Sequence, residues 1–365
     1  MTNTEYRSGL TFERIEPAAP RDPAEPVADG AGFGSVFTDH MVSIRYRAGA
    51  DWHSAKVEPF GSMAMSPAAA VLHYGQAIFE GLKAYRGPGG EVLLFRPDAN
   101  AARFQRSARR LAMPELPGEL FVRAVEELVT ADRHWVPATD GSSLYLRPFM
   151  VATEPYLGVR PAREYLFCVI ASPVQPVFAG SGAISVEIAH DYARAAPGGT
   201  GSAKCGGNYA AALPAYSRAL ASGYDQVVFL DAAQRSYVEE LGGMNIFFVF
   251  DDGRITTPPL SDTILAGVTR DSVIALAAEA GHEVEETPYT AEQWRHDAST
   301  GRLREALACG TAATIAGIDR VRYHGEDFTV GDGGIGPITA RLRARLLDLQ
   351  YGRATDVRNW MRVVP

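Results

Sequence analysis

The alternation of apolar and polar residues divides the chain into strand-like and helix-like segments. Short apolar runs at residues 92–95, 143–149 and 166–171 have the length and composition of buried strands. Helical periodicity predicts amphipathic helices over residues 118–133 and 337–350. In the first of these helices, one apolar stripe contains Leu120, Phe121, Val125, Leu128 and Val129.

The second half of the chain continues this mixture of elements. Residues 184–188, 226–231 and 246–250 have strand patterns, and the Asp-Asp-Gly sequence at 251–253 predicts a hairpin turn. A helix is predicted over 267–281, because small residues open it and a glycine ends it.

The length of 365 residues predicts two domains rather than one. The stretch after residue 173 is rich in Pro and Gly and separates two strand runs, so it is the best candidate for a linker. We therefore predict an N-terminal arm over 1–32, a small domain over 33–174, a linker over 175–182 and a large domain over 183–365.

Composition excludes several classes of protein. The net charge of −8 argues against a nucleic-acid-binding protein, and no apolar run reaches the roughly 18 residues of a membrane span. Cys168, Cys205 and Cys309 are widely spaced, as expected for reduced thiols. The eight histidines show no metal-binding spacing. We expect a cytoplasmic protein without a metal site.

Lysine usage draws attention to one loop. The 35 Lys and Arg residues include only three lysines, Lys56, Lys83 and Lys204, so arginine fills nearly every generic surface role. Lys204 lies among small, uncharged residues between Ala203 and Cys205, which does not fit a phosphate-binding P-loop. A desolvated lysine can lose its proton and form a Schiff base with a carbonyl, including that of pyridoxal phosphate. The alternative is a solvated lysine in a glycine-rich loop.

Three further positions carry chemistry that the pattern leaves open. Arg147 lies inside an apolar strand, where a charge must be paired or must bind an anion. Glu240 is either an exposed carboxylate at a strand end or a buried acid that faces a cation. Thr269 opens a helix, where a hydroxyl and free N–H groups form either a plain cap or an anion site.

Seven motifs occur along the chain in the order found in one family. They are Phe33-Gly-x-Val-Phe-Thr-Asp-His, His73-Tyr-Gly-x-x-x-Phe-Glu-Gly, Leu144-Tyr-x-Arg-Pro, Ala203-Lys-x-Gly-Gly-Asn-Tyr, Glu240-x-Gly-x-Met-Asn, Gly267-Val-Thr-Arg and Cys309-Gly-Thr-Ala-Ala. On these motifs the chain resembles the branched-chain amino acid aminotransferases, which are fold type IV pyridoxal phosphate enzymes. The resemblance implies a two-domain fold, with a smaller N-terminal α/β domain and a larger C-terminal pseudo-barrel domain.

The resemblance also implies a cofactor, pyridoxal 5′-phosphate, and residues that bind it. Lys204 matches the lysine that binds the cofactor and moves the substrate's Cα proton. Glu240 matches the carboxylate that pairs with the pyridine nitrogen, and Tyr209 the phenol that binds O3′. The residues that match the phosphate-binding set are Arg103, Val268, Thr269 and Thr311.

The implied reaction is amino transfer from a hydrophobic L-amino acid to 2-oxoglutarate. Ala312 and Ala313 match backbone donors to the α-carboxylate, and Arg147 fits the second carboxylate of 2-oxoglutarate. The matching pocket wall is Phe33, Tyr74, Phe79, Tyr145 and Arg147. Leu157 and Val159 match a loop that reaches the neighbouring subunit, which implies a homodimer with shared active sites.

One stretch departs from the family pattern. The family usually has a Gly-Ala-Tyr-Phe-like linker whose tyrosine faces the substrate side chain, whereas here Val177 stands in that place. We therefore expect a pocket that accepts side chains bulkier than isoleucine. Two alternatives stay open: a D-amino acid aminotransferase or aminodeoxychorismate lyase-like enzyme of the same fold, and a non-catalytic relative. The N-terminal arm and the Phe33 motif favour an L-amino acid:2-oxoglutarate aminotransferase over the other enzymes of this fold.

Overall fold

The computed structural model describes residues 10–17, 21, 33–175 and 182–365. The predicted arm and linker fall mostly outside these ranges, and Val177 does so as well. The chain forms two compact units. Unit 1 contains the described residues up to Arg86 together with Gly90–Gln175 and Val363–Pro365, and unit 2 contains Gly87–Gly89 and residues 182–362.

Unit 1 is built on a mixed, mostly antiparallel sheet. Its first eight strands are β1 (Glu13–Arg14), β2 (His40–Arg47), β3 (Asp51–Pro59), β4 (Ala77–Phe79), β5 (Leu82–Arg86), β6 (Val92–Phe95), β7 (Ser143–Ala152) and β8 (Glu164–Val174). They follow the order β1-β3-β2-β8-β7-β5-β6, then the C-terminal strand Met361–Val363, and β4 pairs with β7. The long β7–β8 ladder fixes the register of the strand that carries Tyr145 and Arg147.

Three α-helices belong to the described part of unit 1: α1 (Ala70–Tyr74), α2 (Pro97–Arg110) and α3 (Gly118–Ala131). Helix α2 begins with proline at its first position, where a missing N–H has no consequence. The predicted stripe of α3 is buried except for Leu120, which is partly buried. Phe104, Phe121 and Phe167 join α2, α3 and β8, with ring centroids 5.4 to 6.0 Å apart.

Unit 2 contains the second mixed sheet. Its described strands are β9 (Ala183–Ala189), β10 (Gln226–Leu230), β11 (Val238–Leu241), β12 (Asn245–Phe250), β13 (Ile255–Thr257), β14 (Val284–Glu286), β15 (Leu303–Gly310), β16 (Thr314–Tyr323) and β17 (Glu326–Thr329). The order is β11-β10-β9-β16-β15-β12-β13-β14, with β17 beside β16. Strand β9 pairs in parallel with both β10 and β16.

Four described helices complete unit 2: α4 (Gly206–Ala221), α5 (Val268–Glu279), α6 (Ala291–Thr300) and α7 (Pro337–Gln350). Helix α7 confirms the prediction over 337–350. Its first turn is capped by the buried Glu305 of β15, whose carboxylate accepts from Ile338 N at 2.9 Å and from Thr339 N at 2.7 Å. No helix in the described ranges is long and apolar enough to cross a membrane.

The predicted elements differ from the observed ones mainly at their starts. The pattern of residues 33–46 is typical of a strand, but residues 33–36 form a turn and β2 begins at His40. Ser66 followed by Pro67 is typical of a helix start, but these residues open a turn in which Ala69 N donates to Ser66 O at 2.9 Å, and α1 begins only at Ala70. In both places, local turns delay the element that the sequence pattern indicates.

Candidate active site

Lys204 lies in a loop that is hydrogen-bonded to Asn208 in the first turn of α4. Asn208 Nδ2 donates to Thr200 O at 2.8 Å and to Ala203 O at 2.9 Å, and Thr200 Oγ1 donates to Asn208 Oδ1 at 2.8 Å. These hydrogen bonds hold the loop against the first turn of α4. A side chain whose support is hydrogen-bonded on both sides is suited to chemistry that requires accurate placement.

The Lys204 amine is paired with a phenol. Lys204 Nζ donates to Tyr209 Oη at 2.9 Å, and both residues are partly buried. Lys83 is equally rare as a lysine in this chain; it is buried on β5, and burial lowers its pKa to about 8. Lys204 lies near a phenol and near the buried carboxylate of Glu240 in the same unit.

That carboxylate belongs to Glu240 on β11, which is 3% exposed. Its Oε1 accepts from Leu265 N at 3.0 Å and forms an ion pair with Arg194, and its Oε2 is 3.4 Å from Asn245 Nδ2. Burial raises the pKa of Glu240 to about 7, against the opposing effect of the Arg194 charge. The structure thus favours the buried acid over the exposed strand-end carboxylate.

The start of α5 lies beside Asn245. A Cβ at Gly267 would collide with Asn245 Oδ1, so only glycine allows the backbone to approach this closely. Helix α5 then begins at Val268, and Thr269 is buried in its first turn. The N–H groups and positive dipole end of a helix start, together with a hydroxyl, form a suitable place for a phosphate.

The turn between β15 and β16 lies at the same end of the sheet. Asn245 pairs with Cys309, the residue just before Gly310, and residues 311–313 form the turn that follows. Gly243 packs near Tyr209, since a Cβ there would lie 3.7 Å from Tyr209 Cε1. Unit 2 therefore gathers the following predicted residues around the ends of β11, β12 and β15: Lys204, Tyr209, Glu240, Val268, Thr269, Thr311, Ala312 and Ala313.

Within unit 1, three members of the predicted pocket wall, Phe33, Phe79 and Tyr145, cluster around Arg147. Arg147 Nη2 donates to Tyr145 Oη at 3.1 Å, and the guanidinium carbon lies 4.8 Å from the Phe79 ring centroid. The Phe33 ring meets Tyr145 edge-on at 4.9 Å. Arg147 Nε is buried and has no hydrogen-bond partner among the described residues. An arginine held by rings and a phenol keeps donors for an anion.

Gly81 determines where the Tyr145 ring lies. A Cβ at Gly81 would collide with Tyr145 Oη, so the phenol occupies the space that a side chain would take. The Gly81 N–H donates to Glu80 Oε2 at 3.1 Å, which holds this backbone in place. The missing side chain therefore helps to orient the phenol toward Arg147.

Arg103, the predicted phosphate ligand, is buried on α2 in unit 1. Its Nε and Nη2 donate to the two Glu80 oxygens at 2.7 and 2.8 Å. Asn100 Nδ2 adds a third donor to this carboxylate at 2.8 Å. Arg103 is therefore not part of an ordinary solvated helix face. A contact between Arg103 and a phosphate stays a prediction.

Leu157 and Val159, the two loop residues that are predicted to reach a neighbouring subunit, are exposed. Leu157 is 62% and Val159 87% exposed, and the exposed Tyr74 donates its hydroxyl to Leu157 O. An apolar surface of this kind is typical of a protein–protein contact.

Three residues of the site were missed at the sequence level. Asn208 and Asn245 stand inside motifs that pointed to the family, but they were given no role. Arg194 had no signal, since it is one arginine among many.

Residues 77–321 match the family described as amino-transferase class IV. The chain belongs to the class IV aminotransferases. A branched-chain-amino-acid aminotransferase of Mycolicibacterium smegmatis is 52% identical over 342 residues, which is 92% of this chain and 93% of that relative. The branched-chain-amino-acid transaminase 1 of Bacillus subtilis is 43% identical over 338 residues, which is 92% and 95% of the two chains.

Solved structures of this family share the fold. The Escherichia coli branched-chain amino acid aminotransferase has a TM-score of 0.73 and 27% identity, covering 89% of this chain and 100% of that one. The branched-chain amino acid aminotransferase of Thermobaculum terrenum has a TM-score of 0.71 and 26% identity, covering 90% and 98%. The predicted fold type IV class is confirmed, and the protein is an aminotransferase.

The cofactor of this family is pyridoxal phosphate, and the Thermobaculum terrenum structure was solved in its PLP form. The residues of unit 2 suit that group. An amine is held 2.9 Å from a phenol, a buried carboxylate is available for a pyridinium, and the glycine-opened start of α5 offers N–H groups for a phosphate.

Proposed function

We propose that this aminotransferase moves the amino group of a branched-chain or similar hydrophobic L-amino acid to 2-oxoglutarate, giving a 2-oxo acid and L-glutamate. The observation that carries the proposal is the Lys204–Tyr209 pair in the same unit as the buried Glu240 carboxylate. The relatives at 43% and 52% identity, which are branched-chain enzymes by name, support the substrate class.

Bound pyridoxal phosphate supplies an electron sink for the carbanion that forms when the substrate loses its Cα proton. The protein's task is to hold and move protons around it. Lys204 Nζ takes the Cα proton as general base, and Tyr209 Oη keeps that nitrogen in place. Glu240 holds the positive charge at the pyridine nitrogen, because a neutral partner would not stabilise a pyridinium.

Phosphate binding is assigned to Arg103, Val268, Thr269 and Thr311. Thr269 and Val268 contribute the start of α5, and Thr311 contributes the turn after β15. For Arg103 the assignment rests on its match to the family motif, with Glu80 fixing its side chain.

Substrate recognition is assigned to the Arg147 cluster and to the turn after Thr311. The backbone N–H groups of Ala312 and Ala313 bind the α-carboxylate, and Arg147 binds the second carboxylate of 2-oxoglutarate or glutamate. The apolar wall consists of Phe33, Tyr74, Phe79 and Tyr145. Position 177 has valine where the family usually has a tyrosine, so we propose that donors bulkier than isoleucine are accepted.

We further propose a homodimer in the cytoplasm. Exposed Leu157 and Val159 are the residues that would reach the second subunit. The three buried, free cysteines are consistent with a reducing compartment. Light scattering after size-exclusion chromatography measures the mass, and a monomer with full activity would contradict shared active sites.

The test of the function is replacement of Lys204. Lys204→Ala should abolish both turnover and the yellow absorbance that an amino donor bleaches, because no other group replaces the amine. The matched control is Lys56→Ala, which removes a partly exposed lysine paired with Glu13 at 3.2 Å and should leave both signals unchanged. Full turnover by Lys204→Ala would overturn the proposal.

A donor screen with 2-oxoglutarate then defines the substrate. Leucine, isoleucine, valine and phenylalanine are compared by kcat/KM. If kcat/KM for phenylalanine is within about tenfold of that for leucine, the result supports a pocket that accepts bulkier side chains. Tenfold is roughly the effect of one methylene group in a hydrophobic pocket. Strict preference for the three aliphatic donors would remove the role given to Val177.

A further inference from the structure

Arg194 lies at the junction of three segments that support the candidate site. It follows β9, it is 5% exposed, and it stands ten residues before Lys204 in the chain. Its Nη2 donates to Gly201 O at 2.9 Å and to Thr263 O at 2.8 Å, and it forms the ion pair with Glu240 Oε1. One nitrogen therefore contacts the Lys204 loop, the segment before α5 and strand β11.

The Lys204 loop and the segment before α5 are packed backbone to backbone. A Cβ at Gly201 would collide with the Thr263 main chain, so glycine is required for this approach. Ser202 N also donates to Asp262 O at 2.9 Å. Arg194 bonds the carbonyls of both segments at this contact. Removal of its guanidinium would leave two buried carbonyls without that donor.

Arg194 forms its direct ion pair with Glu240, whereas its charge acts on the adjacent Glu239 without a direct contact among the described ion pairs. Consecutive strand residues point to opposite faces, so Glu239 and Glu240 diverge from β11. Glu239 accepts from Thr263 Oγ1 at 2.5 Å, whereas Glu240 receives the arginine. The charged groups that act on Glu240 are Arg194, Lys204 and Glu239, and burial raises its pKa more than Arg194 lowers it.

We propose that Arg194 is a positioning residue for the transamination proposed above: it favours the ionised form of the Glu240 carboxylate and orients it, and it fixes the Lys204 loop to the same point. The inference rests on the proposed function. Arg194 acts through Glu240 and through the loop, and it needs no contact with the substrate or the cofactor. Its guanidinium is suited to this task, because arginine stays charged when buried and offers donors in several directions.

The test compares Arg194→Met and Arg194→Lys with the wild-type holoenzyme. Arg194→Met should lower kcat by about 100-fold, with KM changed by no more than a few-fold. The pH at which the bound cofactor's visible band changes should also shift, since Glu240 loses its cation. Arg194→Lys restores the charge and should recover part of kcat and of the pH profile. The matched control is Arg218→Met, which removes an exposed arginine paired with Asp191.

A double-mutant cycle separates positioning from general damage. The part of the effect that Arg194 exerts through Glu240 is absent in a Glu240→Gln background, so Arg194→Met should lower kcat by a smaller factor there than in the wild type. Multiplied effects in the double variant would overturn the proposal, as would wild-type kcat and pH profile in Arg194→Met. If the Met variant does not fold, wild-type kcat and pH profile in Arg194→Lys would overturn it equally. A wild-type protein without a bleachable cofactor band would instead contradict the proposed function itself.

Discussion

Among the described residues, each unit contains a buried arginine–glutamate pair near its predicted site residues, and the two pairs are built differently. In unit 1, Arg103 meets Glu80 side-on with two nitrogens, at 2.7 and 2.8 Å, and the carboxylate also accepts from Asn100 Nδ2 and Gly81 N. In unit 2, Arg194 reaches Glu240 with a single nitrogen that is shared with two carbonyls. The remaining described hydrogen bonds of Glu240 are one backbone N–H at 3.0 Å and one amide at 3.4 Å.

This difference indicates that the Glu80–Arg103 pair is structural, whereas the Glu240–Arg194 pair can bind a further ligand. A buried carboxylate with a bidentate arginine and two more donors is well satisfied, and its role is to hold β5, α2 and Arg103 together. Glu240 is under-satisfied by comparison, and burial raises its pKa to about 7. A carboxylate of this kind gains from another cationic donor, which is what a pyridinium provides.

The largest expected effect concerns the pair of unit 1. Arg103→Met leaves the Glu80 carboxylate buried without its partner, so we expect the free energy of unfolding to fall by about 3–5 kcal/mol. Equilibrium denaturation measures the loss. The double variant Arg103→Met with Glu80→Gln removes both charges and should recover part of it. Unchanged stability of the single variant would show that this pair does not hold unit 1 together.

The second effect concerns Glu240. Glu240→Gln should reduce kcat by about 100-fold, because an amide does not keep the pyridine nitrogen charged, while the protein stays folded. Steady-state kinetics and thermal unfolding are the two measurements. The matched control is Glu239→Gln on the same strand, which should keep near-wild-type turnover. Equal losses in the two variants would contradict the special role of Glu240.

The smallest effect is a pH dependence of apoprotein stability. The pKa of Glu240 is about 7 in the folded protein and near 4.5 when unfolded. Between these values the folded state binds the extra proton, so rising pH lowers the free energy of unfolding, by at most about 1.4 kcal/mol per pH unit. Denaturation of wild type and Glu240→Gln from pH 4.5 to 7 isolates this contribution, and parallel curves would contradict it.

The reactive groups could be predicted from the sequence, but the residues that hold them in place could not. Lys204 stood out because lysine is rare in this chain, and Glu240 because a charge stood between apolar strands. Arg194 could not be found this way, since arginine is the common base here and its partners lie in three segments distant in sequence. The Glu80–Arg103 pair joins residues 23 positions apart and depends on how α2 packs beside β4.

The elements themselves were more predictable than their boundaries. The helix over 337–350 and the buried strand around Leu166 follow from periodicity and match α7 and β8. The late starts of β2 and α1 depend on turns at residues 33–36 and 66–69, where local backbone conformation competes with the pattern. The residue that caps α7 could not be predicted either, because Glu305 lies on a different element, strand β15.

The most direct test of the contrast between Glu240 and Glu80 is the protonation of the cofactor's pyridine nitrogen. The holoenzyme is prepared with pyridoxal phosphate labelled with nitrogen-15, and the chemical shift of that nitrogen is measured by NMR near neutral pH. We predict a protonated nitrogen in the wild type and in Glu239→Gln, and an unprotonated one in Glu240→Gln. An unprotonated nitrogen in the wild type, or a protonated one in Glu240→Gln, would contradict the role given to Glu240.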